Sequence, residues 1–245
     1  FKDTLKRIED RKCNWNRWAV HNNRKENDFH SEFSHYNQTL GIGYYEFFLL
    51  CDLIGAKPLP VMNVGMACQY QSYEYMEIGS AEFEQMVQDT LDLIEFANGD
   101  ESSEWGKVRV QLGHKAPFGL EYLGIGNEQW QMDNTDFFAR YKIFEQRIHA
   151  KYPEIKLIGS AGPDVTSNHY TDAWEFYRKE KKNNPNFVYA IDEHYYMPPK
   201  WFLEHNDFYD NYPRDIKVFA GEYAAHDPEI NIAHVSKNNW KAGIS

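Results

Sequence analysis

Short apolar runs alternate with longer amphipathic stretches along most of this chain, and this alternation restricts its fold more than any other feature. Each run has the length and composition of a buried strand, and the stretches between the runs repeat their apolar residues at helical spacing. The predicted strands are residues 59–64, 121–125, 155–159, 187–191 and 216–220. Repeated strand-helix units predict an α/β fold with a parallel sheet, either an open doubly wound sheet or a closed barrel.

The stretches between the strands carry recognisable helix ends. In residues 80–98 the apolar side chains recur at i, i+3 and i+4, and Ser80 occupies the position of an N-cap. Residues 134–153 repeat this spacing, and Pro153 ends the pattern because proline does not continue a helix. Residues 98–115 break the rhythm, and we expect a polar loop or a short hairpin there.

Two features favour the barrel over the doubly wound sheet. No glycine-rich phosphate-binding motif follows any predicted strand, and the nearest string, which starts at Gly124, places Glu128 where a pyrophosphate would bind. In addition, the last four strands begin at similar intervals of roughly 30 residues, as repeated βα units do. The sequence therefore predicts a (β/α)8 TIM-barrel type fold.

The charge and composition of the chain exclude several classes of partner. It has 37 acidic against 26 basic residues, a net charge of −11, so we expect no nucleic acid partner. No apolar run approaches the roughly 20 residues of a membrane helix, so no membrane insertion is expected. The aromatic content of 16% suits contact with the faces of sugar rings, beyond what packs the core.

The cysteines and the start of the chain add little about its compartment. Cys13, Cys51 and Cys68 have no CxxC spacing, which argues against a disulfide scaffold and against a zinc site. Cys51 is predicted on the buried face of a helix. The chain opens at Phe1 without a methionine or a leader peptide, so we expect a processed chain or a fragment. The sequence leaves open whether this soluble protein is cytoplasmic or secreted.

Polar side chains lie at the carboxyl ends of four of the predicted strands. They are Asn63, Asn127 with Glu128, residues 192–196, and Glu222 with Tyr223. In a βα barrel these strand ends meet at one face, so Glu128 and Glu222 are expected within a few ångströms of each other. Cleavage of a glycosidic bond uses such a pair: one carboxyl protonates the leaving oxygen, and the other attacks the anomeric carbon or activates water.

Other chemistries fit the same residues less well. Neighbours on a strand face opposite sides, so we expect one of Asp192 and Glu193 to point inward as a salt-bridged helper. A metal site built from Asp192, Glu193, His194 and His226 is a weaker alternative, because no HExxH or equivalent ligand spacing occurs. Acyl transfer by a serine is weaker still, because no GxSxG motif occurs. We predict neither a metal nor another cofactor.

Four strings along the chain, GIGNEQW, AIDEHYYMPP, VFAGEYAAHD and LLCDLIGAKPLPVMNVG, resemble glycoside hydrolase family 51. That family consists mostly of α-L-arabinofuranosidases and belongs to a large retaining clan with a (β/α)8 barrel. The resemblance implies that Glu128 is the acid/base at the end of the fourth barrel strand and Glu222 the nucleophile at the end of the seventh. It also implies that Tyr196 hydrogen-bonds the nucleophile and that Asn127, Trp130, His194 and Tyr196 bind the substrate.

The resemblance covers nearly the whole chain but only part of such an enzyme. It implies that two barrel strands precede Phe1 and that the eighth strand and a C-terminal β-sandwich follow Ser245. Residues 1–245 are thus predicted to be one catalytic barrel domain truncated at both ends, in which strands three to seven are evident. The unpaired outer edges of such a segment invite association, so a homo-oligomer is possible.

The function that this resemblance implies is a retaining glycosidase that acts on an oligo- or polysaccharide. The leading hypothesis is release of α-L-arabinofuranosyl residues from arabinoxylan or arabinan by double displacement, with the carboxyls of Glu128 and Glu222 about 5 Å apart. An endo-β-1,4-glucanase or xylanase of the same family, and an inactive carbohydrate-binding barrel fragment, remain open alternatives.

Overall fold

The computed structural model describes Lys2, Gln69 and residues 41–67, 75–132 and 135–225. Helices and strands alternate through these residues. In chain order they are α1 Tyr44–Ile54, β1 Val61–Met62, α2 Ala81–Asn98, α3 Glu104–Gln111, β2 Tyr122–Ile125, α4 Phe137–Lys151, β3 Lys156–Ser160, α5 Asn168–Lys181, β4 Ala190–Met197, α6 Pro199–Glu204 and β5 Lys217–Ala225. The chain divides into two compact units, residues 1–127 with 132–157, and residues 128–131 with 158–245.

In the first unit, β1 and β2 pair in parallel, with Val61 opposite Gly124 and Met62 opposite Ile125. The two predicted helices between these strands and β3 are both present. Helix α2 begins after Ser80, whose hydroxyl accepts a hydrogen bond from the backbone N–H of Phe83. The apolar faces of α2 and α4 meet in the core, where Phe83 and Phe144 pack edge to face with ring centroids 5.9 Å apart.

In the second unit, β3, β4 and β5 pair in parallel in chain order. Ile158 of β3 lies opposite Ala190 of β4, and Ala190 lies opposite Lys217 of β5. Helix α5 connects β3 to β4 and buries Ala173, Trp174, Phe176 and Tyr177. A crossover helix between parallel strands is the βα unit that the sequence predicted.

The prediction of a loop or hairpin at residues 98–115 is wrong, because helix α3 forms within this segment. The hydroxyl of Ser103 caps its start by accepting a hydrogen bond from the backbone N–H of Gly106. Within α3, Arg109 is fully buried and donates hydrogen bonds to the carbonyls of Phe96, His114 and Lys115. Because a charged arginine occupies a core position of α3, the apolar spacing that normally predicts a helix is interrupted in this segment.

Three strand boundaries also differ from the expected ones. Strand β1 has only two residues, because the side chain of Asn63 accepts hydrogen bonds from the N–H groups of Gly65 and Met66 and turns the chain. Strands β4 and β5 run on to Met197 and Ala225, beyond the apolar runs that predicted them. Their polar residues belong to the strands because the backbones of β4 and β5 pair with each other at these positions.

Helix α1 differs from its prediction in the face that it buries. It buries Tyr45 and Phe48, whereas Cys51, which was expected on the buried face, is half-buried. Leu53 and Ile54 are 83% and 66% exposed. Among the described residues, no helix combines the length and the apolar character needed to cross a membrane.

We expect Arg140→Met to lower the free energy of unfolding by about 3 kcal/mol, because it leaves several buried carbonyl groups without a donor. Arg140 is 1% exposed and donates hydrogen bonds to the carbonyls of Val64, Gly65, Met76 and Thr135. Urea denaturation followed by circular dichroism measures the loss.

The control for Arg140 is Arg147→Met on the same helix. Arg147 is 43% exposed, and its guanidinium pairs with Glu84 at 2.9 Å. An exposed ion pair contributes at most about 1 kcal/mol, so this variant should unfold nearly as the wild type does. Equal destabilisation by the two substitutions would contradict the structural role of Arg140.

Candidate active site

Glu128 lies just past the end of β2 in a backbone conformation that is unusual for its residue type. Its φ is 53°, in the left-handed region, and it follows Gly126, whose φ is 82°. A non-glycine residue in this region is strained by roughly 1–3 kcal/mol, and such residues concentrate at functional sites. The turn ends the apolar strand and leaves the side chain of Glu128 24% exposed, so that it contacts both protein and solvent.

Strand β4 presents alternate side chains to the carboxylate of Glu128. Asp192, His194 and Tyr196 share one face of the strand, and Glu193 and Tyr195 share the other. Nδ1 of His194 lies 2.8 Å from Oε1 of Glu128, and Nε2 lies 3.3 Å from Oδ2 of Asp192. The expectation that one of the two neighbouring acids, Asp192 and Glu193, faces the site agrees with this geometry, and that acid is Asp192.

A β-bulge in β5 brings Glu222 to the same face. Asp192 pairs with Phe219, but His194 pairs with Glu222, so β5 holds one extra residue between these two positions. A shift of one residue moves a side chain to the opposite face of a sheet. The bulge therefore decides that Glu222 lies beside His194, with its carboxylate 3.7 Å from Nδ1.

The carboxylates of Glu128 and Glu222 are close enough to act on one substrate atom. One oxygen of each lies within 4.8 Å of the other, and the hydroxyl of Tyr196 donates a hydrogen bond of 2.7 Å to Glu222. Burial and the bond to Glu222 raise the pKa of Tyr196, which keeps this hydroxyl a donor. The separation agrees with the expected value of about 5 Å and with that of retaining glycosidases, about 5–5.5 Å.

His194 provides the positive charge at the centre of this group. It is 2% exposed, and burial lowers its pKa, but the hydrogen bonds to Asp192 and Glu128 and the charge of Glu222 outweigh burial. Together they raise the pKa of His194 to about 10. The side chain is therefore an imidazolium at neutral pH, and both ring nitrogens donate to carboxylates.

Glycine at position 221 is required by the contact that orients Asp192. The backbone N–H of Gly221 donates to Oδ1 of Asp192 at 3.0 Å, and a Cβ at position 221 would overlap that carboxylate. Sequence reasoning did not assign a role to Gly221 or pair Asp192 with His194. The available signal was a glycine directly before Glu222, at the point where β5 bulges.

The structure brings Glu128, His194, Tyr196 and Glu222 together, and it places the other predicted site residues differently. Trp130 is 9% exposed, and its ring stacks on that of His169 with centroids 4.8 Å apart. Asn127 is exposed directly before Glu128. The role of these two residues in binding stays a prediction.

A metal ion has one candidate set of ligands among the described residues, namely Glu128, His194 and Glu222, whose ligand atoms lie within 4.8 Å of one another. In the structure these side chains contact one another directly, with Nδ1 of His194 2.8 Å from Oε1 of Glu128 and 3.7 Å from Oε2 of Glu222. The expectation that the site needs no metal stays a prediction. The alternative set that included His226 cannot be compared, because His226 lies outside the described residues.

Because its pKa is raised, His194 stabilises the fold more at low than at high pH. Because its folded pKa is about 10 and its ordinary value 6.5, that stabilisation is complete below pH 6.5 and is lost as the pH rises through 10. We therefore expect the difference in unfolding free energy between the wild type and His194→Gln to shrink between pH 7 and about 10.5.

Denaturant unfolding at several pH values checks this expectation, with Lys200→Gln as the control. Lys200 is 80% exposed, so its removal should leave the shape of the pH profile unchanged. Titration of the His194 ring near pH 6.5 in NMR spectra would contradict the prediction.

The parallel βα units define a protein of the (β/α) barrel class, in which Glu128 follows β2 and Glu222 lies within β5, at the separation expected of a glycosidase carboxyl pair. Residues 1–214 match the model of the α-L-arabinofuranosidase 1 domain. The chain belongs to this family. The resemblance to glycoside hydrolase family 51 and the predicted TIM-barrel type are confirmed, with five strands of that fold in the described residues.

Individual relatives agree with this assignment. The extracellular exo-α-L-arabinofuranosidase of Streptomyces chartreusis is 40% identical over 100% of this chain and 26% of its own length. The α-L-arabinofuranosidase 1 of Arabidopsis thaliana is 36% identical over 66% of this chain and 23% of its own. The solved structure of the arabinose-bound α-L-arabinofuranosidase MgGH51 is 26% identical with a TM-score of 0.59, over 78% of this chain and 27% of its own. The chain thus spans about a quarter of the length of these relatives.

Proposed function

We propose that this chain carries the catalytic carboxylates of a retaining α-L-arabinofuranosidase, which removes α-L-arabinofuranosyl residues from plant cell-wall polysaccharides. The observation that carries the proposal is the spacing of Glu128 and Glu222, whose oxygens approach within 4.8 Å. That distance leaves no room for the water that an inverting enzyme places between its carboxyls, which lie about 6.5–9.5 Å apart. The identity of the sugar, arabinofuranose, is inferred from the family and from the names of the relatives.

In the first step, an oxygen of Glu222 attacks the anomeric carbon while Glu128 donates its proton to the leaving oxygen. The glycosidic bond breaks, and an arabinofuranosyl ester of Glu222 forms. Tyr196 holds the attacking carboxylate by its 2.7 Å hydrogen bond. In the second step, Glu128 takes a proton from water, which hydrolyses the ester and releases arabinose with its configuration retained.

His194 positions Glu128. Its ring nitrogen Nδ1 donates a hydrogen bond to Oε1 of Glu128 at 2.8 Å, which fixes the orientation of this carboxyl group beside Glu222. Asp192 holds the ring from its other nitrogen, as an orienting carboxylate does in other acid-base pairs. In this scheme Asn127 and Trp130 contact the sugar beside Glu128.

A panel of aryl glycosides tests the proposed specificity in the full-length protein. We expect turnover of an aryl α-L-arabinofuranoside with arabinose released in its original configuration, and much slower turnover of aryl cellobioside and aryl β-xyloside. Activity on the cellobioside alone would overturn the proposal in favour of an endo-glucanase. Binding of arabino-oligosaccharides without any turnover would instead favour an inactive carbohydrate-binding protein.

The same comparison suggests a cellular location for the protein. Because the relative from Streptomyces chartreusis is named an extracellular enzyme, we propose that this protein is also secreted and meets its polysaccharide substrate outside the cell. Cell fractionation with an antibody against the protein tests this, and an exclusively cytoplasmic signal would contradict it.

A further inference from the structure

A second pocket lies on the opposite side of β4 from the candidate active site. It has a volume of about 690 Å3 and is an open pocket lined by residues of α5 and of the segment 208–213. This volume falls within the range of pockets that hold small ligands, about 300–1,000 Å3. Its wall is aromatic and contains Tyr170, Trp174, Phe208 and Tyr212.

Hydrogen bonds to a buried carboxylate hold this aromatic wall in place. Glu193 is 0% exposed and faces away from His194 on β4. Trp174 donates to Oε1 of Glu193 at 2.7 Å, and the hydroxyl of Tyr212 donates to the same carboxylate at 3.2 Å. The hydroxyl of Tyr170 in turn pairs with that of Tyr212. A wall whose rings are already fixed loses little conformational entropy when a ligand binds.

The rim of the pocket is positively charged, in contrast to the rest of the chain. Arg178, Lys179 and Lys182 line it, and Glu175 is the one carboxylate among the lining residues. Arg178 also lies 3.5 Å from Asp215. Asp215 and Glu175 offset part of this charge, and Lys179 and Lys182 leave the pocket with a small net positive charge that attracts an anion.

We propose that this pocket binds an acidic carbohydrate, a sugar residue that carries a carboxylate. The ring of the sugar packs on the aromatic side chains, its hydroxyls reach Asn211 and Thr171, and its carboxylate meets Lys179 and Lys182. A neutral sugar would pack on the aromatic rings but would leave the lysine side chains without a negatively charged partner. An inorganic anion would satisfy the cations but leave the rings uncovered.

Such a site would bind an acidic polysaccharide at a distance from the bond that the protein cleaves. This role in substrate binding rests on the proposed function, but binding of the sugar to the pocket does not depend on catalysis. The two proposals therefore fail separately: a protein that binds the acidic sugar without hydrolysing arabinofuranosides contradicts only the first.

Titration of the full-length protein with digalacturonic acid, galactobiose and inorganic phosphate tests the proposal, with NMR shifts as the readout. We expect digalacturonic acid to bind about tenfold or more tightly than either of the others, with shifts confined to residues 170–182 and 208–213. Binding should weaken as salt is added, because exposed charges are screened. Equal affinity for galactobiose, or for phosphate, would overturn the proposal, as would no shift at a digalacturonate concentration of about 10 mM.

A charge-reversed pair locates the site. We expect Lys179→Glu with Lys182→Glu to weaken binding of digalacturonic acid about tenfold or more and to leave turnover of the aryl arabinofuranoside unchanged. The matched control is Lys107→Glu with Lys200→Glu, which changes the net charge equally at exposed positions of α3 and α6. Equal weakening by both pairs would show a general charge effect and would contradict the assignment of this pocket.

Discussion

Glu222→Ala is expected to reduce kcat on aryl arabinofuranosides by roughly 10⁵-fold or more, because it removes the oxygen that we propose as the nucleophile. Among the described residues, the carboxylate of Glu128 lies within 4.8 Å of that of Glu222, and its oxygen is bonded to His194. It cannot take the place of the nucleophile, since Glu128 must supply the proton. Substrates with better leaving groups should not restore the rate.

Azide separates the loss of a nucleophile from general damage to the site. In Glu222→Ala, azide can enter the space of the missing side chain and attack the anomeric carbon directly, which gives an arabinosyl azide of inverted configuration. The control is Glu204→Ala, whose side chain is 57% exposed on α6 and should leave kcat unchanged. Residual activity of Glu222→Ala above about 1% of wild type would contradict the assignment.

Glu128→Ala is expected to lower kcat in proportion to how much the leaving group needs a proton. A general acid contributes roughly 10²- to 10⁴-fold, so the loss should be of that order on natural arabino-oligosaccharides. On a dinitrophenyl arabinofuranoside, whose leaving group departs without a proton, formation of the ester should be almost as fast as in the wild type. Hydrolysis of the ester then becomes the slow step, because no base activates water.

This difference predicts a burst of dinitrophenol followed by a slow steady state. Azide should accelerate the slow phase and give an arabinosyl azide of retained configuration, opposite to the product of Glu222→Ala. Glu128→Gln is the matched control for size: it should show the same burst, since an amide does not transfer the catalytic proton, but no azide acceleration, because its side chain fills the space that azide would enter. Equal losses on all leaving groups, with no azide effect, would show that Glu128 does not have this role.

Both carboxylates depend on backbone irregularities that the surrounding fold maintains. Glu128 has a φ of 53°, and Glu222 lies beside His194 only because β5 bulges after Phe219. Strained or bulged positions persist where tertiary contacts compensate for their cost, which is why they are found near active sites. Local loosening of β4 or β5 should therefore reduce activity before the protein unfolds.

The sequence by itself determined the features that arise from local periodicity and local chemistry. The apolar spacing of residues 80–98 and its capping Ser80 sufficed to predict α2, and the same pattern predicted α4. The apolar runs located all five strands, although not all of their ends. Glu128 and Glu222 were identified because each follows a strand at the end where a parallel sheet places its functional residues.

Only the tertiary structure decided how these residues face one another. Helix α3 was missed because Arg109 occupies a core position that a charged residue rarely takes, and its partners Phe96 and Lys115 lie on other segments. The register of β5, and with it the side on which Glu222 lies, depends on hydrogen bonds to β4. The charge of His194 depends on Asp192 of the same strand and also on Glu128 and Glu222, which lie on other segments of the chain. Such contacts follow from pairing across the sheet, and the local pattern of residues carries no record of them.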